Sequence, residues 1–136
     1  MEPSISYGIT DDSGIFSLID VVRRGLNFSA FINLTKKSPF NISDWASFLH
    51  LSERTIQRYE KEDKVFDTVY SEKIVQITLL YNYGTEVFGN SELFNTWLET
   101  PNIALGKSTP KDLLDSSFGI EFIKTELTKI AHGILA

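Results

Sequence analysis

Arg54, Thr55, Gln57, Arg58 and Lys61 crowd between positions 54 and 61 and bring together side chains suited to the edges of base pairs. Arginine gives two parallel hydrogen bonds to guanine, glutamine pairs in the same way with adenine, and lysine neutralises phosphate. On one helix these five residues would form a polar side able to enter a major groove, which makes them the candidate DNA-binding residues. A second reading stays open. Glu53, Glu60, Glu62 and Asp63 offset the cations of the same segment, as in a helical hairpin whose polar side is merely solvated.

Catalysis finds less support. His50 and His132 are the two histidines, and neither stands at helical or loop spacing from a second candidate zinc ligand. Cysteine is absent, which removes thiolate nucleophiles, thiolate metal sites and disulfides and fits a reducing cytoplasm. No serine sits in a strand-turn-helix elbow, and no glycine pair is placed to cradle a phosphate. Asp11 and Asp12 lie near a terminus and read as solvated. The expectation is a binding protein rather than an enzyme, with no catalytic residues, metal or cofactor. The net charge of −5 argues against coating nucleic acid by bulk electrostatics, so any DNA contact must come from a local patch. Residues 1–14 lack the basic and apolar regions of a secretory signal, and no apolar run approaches the roughly 20 residues needed to span a bilayer. A cytoplasmic protein without a membrane partner is expected.

The elements that must position these residues read as all-α, because apolar positions recur at three- and four-residue spacing and nowhere alternate over strand length. A first helix over 15–24 presents Ile15, Leu18, Ile19 and Val22 on one face and stops at Gly25. A second begins near Asn27, carries Phe28, Phe31, Ile32 and Leu34, and ends before Pro39. Two short helices follow, with Ser43 as the cap of one and Ser52 as the cap of the next. The first presents Ile42, Trp45, Ala46 and Leu49 inward, and the second Ile56 and Tyr59. A longer helix over 71–88 and another over 92–100 come next, with a candidate domain boundary at Gly89-Asn90. Thr109, Pro110 and Asp112 then form a helix start: a cap, a proline at the first position and a carboxylate three residues after the cap. A last helix over 117–131 shows Phe118, Phe122, Ile123, Leu127 and Ile130 at helical spacing and is capped by Gly133.

A helix-turn-helix needs a small residue where its helices cross, an apolar residue in the turn and polar residues facing the groove. Ala46, Leu51 and the series from Arg54 to Lys61 supply these in order. His50 takes the turn position usually held by glycine, which requires it to adopt a left-handed conformation.

Pro101-Asn102, Ala104-Leu105-Gly106, Thr109-Pro110, Asp112-Leu113-Leu114, Gly119 and the ending His132-Gly133-Ile134-Leu135-Ala136 together resemble the toxin-binding domain of the Xre/MbcA/ParS antitoxins. Upstream, Val22-Arg23-Arg24-Gly25-Leu26, the helix-turn-helix, Phe88-Gly89 and Trp97-Leu98 resemble the same family, so that the likeness runs from about residue 15 to 136. The resemblance implies an Xre-like helix-turn-helix region over 1–89 and a toxin-binding domain over 90–136. It also implies a type II toxin–antitoxin system whose toxin consumes NAD, of the RES type or otherwise ADP-ribosyltransferase-like. The antitoxin would inhibit that enzyme by covering its cleft and repress transcription of the shared operon by binding operator DNA. Ile103, Lys107 and Ser108 depart from the proline, glycine and arginine usual in the family, and His132 stands where an aromatic residue is common.

Most signature residues also read as fold-makers: Gly106 as a positive-φ position, Thr109 as a cap, Leu113 and Leu114 as core. Toxin contact is therefore expected on what they display, namely Lys107, Ser108 and Lys111, the outer face of the last helix, and His132, Gly133, Ile134, Leu135 and Ala136. The alternative for the tail is that Ile134 and Leu135 fold back on Phe118 or Phe122. Two further readings of the whole chain remain: a toxin-binding protein without DNA binding, and a stand-alone transcription regulator. A homodimer is expected because operators pair two half-sites, with the apolar residues of the segment 65–88 as the pairing surface.

Overall fold

The computed structural model describes residues 12–133, in which helices α1 (Asp12–Arg24), α2 (Phe28–Thr35), α3 (Ile42–Leu49), α4 (Glu53–Glu62), α5 (Thr68–Phe88), α6 (Ser91–Leu98) and α7 (Ser117–Ala131) follow one another. Two 3-10 segments, Ile103–Leu105 and Pro110–Asp115, lie between α6 and α7. The fold is all-α, and the described chain divides into two compact units between Leu79 and Leu80, within α5.

Aromatic rings build the core of the first unit. Phe31 is fully buried, edge-on to Trp45 and Phe66 with centroids 5.3 Å away in both cases. Phe40, Trp45 and Phe48 extend the cluster, each pair packed nearly perpendicular. Such edge-to-face pairs add roughly 0.5–1.5 kcal/mol each beyond their buried area. A short polar junction holds the start of α2 to the connection between α4 and α5. The Phe66 amide donates to the Leu26 carbonyl at 2.7 Å. The buried Ser71 hydroxyl accepts from the Leu26 amide and donates to the Phe66 carbonyl. Asp63, just past α4, accepts from the Ser29 amide and hydroxyl, adding a carboxylate to the first turn of α2, which Asn27 already caps.

Several sequence expectations need correction. Asn41 rather than Ser43 caps α3, in a reciprocal capping box with Asp44, because an asparagine one residue before the first helical turn reaches the N3 amide while Ser43 already lies inside the helix. Ile15 and Ile19 of α1 are exposed along with Phe16, and Ile32 of α2 faces solvent. In the segment 65–88, Phe66, Ile74, Val75, Ile77, Leu80 and Tyr81 are consumed by the chain's own interior, while Val65 and Val69 are exposed.

The second unit packs the 3-10 helix Pro110–Asp115 against α6 and α7. Leu80, Leu98, Leu105, Leu114, Ile120, Ile123 and Leu127 are among its buried aliphatics. Thr109 caps the 3-10 helix by accepting from the Asp112 amide. The Tyr81 hydroxyl donates to Asn95 Oδ1 at 2.7 Å, and the Tyr83 and Thr128 hydroxyls are hydrogen-bonded at 2.8 Å.

Candidate functional site

The turn between α3 and α4 is built by His50, whose φ of 57° and ψ of 39° place it in the left-handed region. That conformation lets the Leu51 amide reach back to the Ala46 carbonyl at 3.0 Å, ending α3 and starting a new direction. Ser52 then caps α4 by accepting from the Thr55 amide at 3.0 Å. Ala46 is buried, as a residue at a close crossing must be.

With 3.6 residues per turn, Ile56 and Tyr59 fix the inner side of α4, and both are buried. The opposite side is Arg54, Gln57, Arg58 and Lys61, all exposed. Their spacing puts Arg54 and Lys61 at its centre and Gln57 and Arg58 beside them. The carboxylates of the same helix lie elsewhere around it: Glu53 and Glu60 on one flank, Glu62 on the other. Asp63 is turned away into its bonds with Ser29. Among the described residues, none of Arg54, Arg58 and Lys61 is ion-paired, so their charges remain available. Thr55 is the exception among the candidates, being half-buried with its hydroxyl accepting from Ser52 Oγ at 2.9 Å.

In the second unit the loop 102–108 closes on Asn102. Its carbonyl accepts from the Leu105 and Lys107 amides, its amide donates to the Ser108 carbonyl, and its Oδ1 accepts from the Ala104 amide. Gly106 has the positive φ expected of it, 69°, and Lys107 shares that value and stands exposed at the loop's tip. Ser108 and Lys111 do not match the expectation of exposure. Ser108 is half-buried because its backbone closes the loop. Lys111 is drawn in by an ion pair with Glu99 at 2.8 Å. His132 and Gly133 are exposed, with Gly133 at φ 71° ending α7, while Ile134, Leu135 and Ala136 lie outside the described residues.

Along α7 the apolar residues divide between two sides. Ile120, Ile123 and Leu127 face the core, whereas Phe118 is 90% exposed and Phe122 46%. Ile103, on the loop, is 87% exposed. Helical spacing alone placed Phe118 and Phe122 in one series with Ile123, Leu127 and Ile130 and did not separate the buried from the exposed. The signal that separates them is Gly119, whose missing side chain marks the face lying against the preceding 3-10 helix.

These two features define a class: a helix-turn-helix module followed by a small helical unit that displays apolar side chains. Comparison with known families makes the assignment sharper. Residues 17–78 match the antitoxin Xre-like helix-turn-helix domain, and residues 84–133 match the antitoxin Xre/MbcA/ParS C-terminal toxin-binding domain. The chain belongs to the Xre/MbcA/ParS-type antitoxins. No curated protein matches the sequence significantly. Among the described residues, no helix is long and apolar enough to cross a membrane.

Proposed function

We propose that this antitoxin represses its own operon through α4 and silences an NAD-consuming toxin of the RES type through its C-terminal unit. DNA contact is assigned to the region up to residue 89 and toxin contact to residues 90–136. The observation that carries the DNA half is the outer side of α4, where Arg54, Gln57, Arg58 and Lys61 stand exposed and clear of the flanking carboxylates. Arginine and glutamine there match base edges, and lysine matches the phosphate backbone. Toxin contact falls on Lys107, on the exposed face of α7 and on the tail from His132 to Ala136, with Ser108 and Lys111 contributing from their half-buried positions. The family resemblance supports the toxin's chemistry. The protein acts in the cytoplasm as a homodimer, binds no cofactor and catalyses no reaction of its own.

The test is co-expression with the product of the adjacent reading frame, followed by size exclusion, alongside a mobility shift on the operon's promoter. A stable complex that abolishes NAD consumption, together with a specific shift, is the expected result. A complex without the shift would leave a toxin-binding protein alone, and a shift without a toxin partner would leave a stand-alone regulator.

A further inference from the structure

Trp97 of α6, Asn102, Ile103 and Ala104 of the loop, and Glu126 and Ile130 of α7 line a groove of about 490 Å³ in the second unit. Its walls are mostly apolar, yet they hold a carboxylate. Glu126 is only 8% exposed, a burial that glutamate almost never reaches without a partner. Among the described residues its ion-pair partner is Lys129, at 3.5 Å and itself 43% exposed. A contact that long, to a solvated ammonium, is a weak one that a closer cation could share or replace. Asn102 lines the same groove, with its Oδ1 accepting from the Ala104 amide and its backbone closing the loop. The groove therefore presents a carboxylate, an indole and two isoleucines, one of them almost fully exposed.

We infer that this groove receives an arginine side chain from the toxin's surface, with the guanidinium paired to Glu126 and lying against Trp97. Ile103 and Ile130 flank its aliphatic stem. Arginine fits better than lysine because its planar, weakly hydrated head both stacks on an aromatic ring and pairs with a carboxylate, while its stem tolerates apolar walls. That the arginine belongs to the toxin rests on the toxin-binding reading of this unit. That the groove holds a guanidinium rests on the groove alone.

The test separates the two. In the full chain the indole N–H signals of Trp45 and Trp97 are followed by NMR during titration with N-acetyl-arginine amide, and with the neutral citrulline analogue as control. A saturable shift of the Trp97 signal with arginine alone is expected. Binding should weaken at least about tenfold in Glu126→Gln, which keeps the shape and removes the charge. Ile103→Lys sets a repelling ammonium at the groove's mouth from an exposed position, so it should give the same loss with the fold intact. Both variants should bind the co-expressed toxin at least about thirtyfold more weakly, the loss typical of breaking a buried charge pair across an interface. An absent or non-saturable shift, or one equal in wild type and Glu126→Gln, overturns the arginine site. Toxin affinity unchanged in both variants overturns its use in the complex. A wild-type chain that holds arginine but not the toxin retains the site and refutes the toxin-binding reading.

Discussion

Lys107 pays a conformational cost that its neighbour does not. Both Gly106 and Lys107 sit at φ 69°, but a side chain in the left-handed region loses roughly 1–2 kcal/mol to contact with its own backbone. Lys107→Gly should therefore raise the unfolding free energy by up to about 1 kcal/mol, after glycine's greater freedom in the unfolded chain is subtracted. Denaturant unfolding reads this directly, and an unchanged or lowered midpoint would show that the loop does not hold this conformation in solution. If the same variant binds the toxin less well, the lysine is retained for contact at the expense of stability. Gly119 is constrained in the opposite sense. A β-carbon there would stand 1.8 Å from the Leu113 carbonyl oxygen, a backbone atom that cannot rotate aside. Gly119→Ala should destabilise the protein by at least about 2 kcal/mol, since overpacking a tight contact forces the backbone to shift. A melting temperature equal to wild type would mean that α7 and the preceding 3-10 helix are less closely packed than the structure describes.

Element by element, legibility followed how many independent signals each segment carried. The module α3–α4 was readable because a cap, a turn, a buried alanine and an inward pair of apolar residues all agree, and His50 takes the left-handed conformation its position demanded. The range of α7 was readable from its helical spacing and the Gly133 behind it, and the structure adds the Ser116 cap ahead of it. Which of its faces is buried was not readable. Phenylalanines at 118 and 122 carry the same hydrophobic signal as Ile123 and Leu127, and periodicity alone cannot tell a core stripe from a partner-binding one. The apolar stripe of α1 misled similarly, since Ile15 and Ile19 follow a helical period and yet are exposed. The groove at Glu126 was invisible because it joins residues from α6, the loop and α7, and no spacing in the sequence links them. For α4 the agreement of signals allows a sharp prediction. Arg58→Ala should weaken promoter binding by roughly 1–3 kcal/mol without affecting toxin binding, because the side chain is exposed and is part of no ion pair among the described residues. Unchanged affinity in a mobility-shift titration would move the base readout off this helix.

The whole molecule carries a net charge of −5, so its attraction to DNA must come from a few local cations working against a repulsive total. Arg54, Arg58 and Lys61 on a single short helix provide too few contacts for useful affinity at physiological salt, where each neutralised phosphate contributes only one step of the salt dependence. Two copies of α4 set on half-sites about one helical turn apart, roughly 34–36 Å, would double those contacts and supply specificity as well. A homodimer should therefore be the DNA-binding species. Light scattering at operator-binding concentrations should report twice the chain mass, and the affinity for the promoter should fall steeply with salt. Scrambling one half-site should cost much more than removing Arg58, since it takes away an entire recognition helix. A monomer that binds the intact promoter with full affinity, or a promoter indifferent to loss of one half-site, would refute the paired arrangement and leave a single α4 to account for all the specificity.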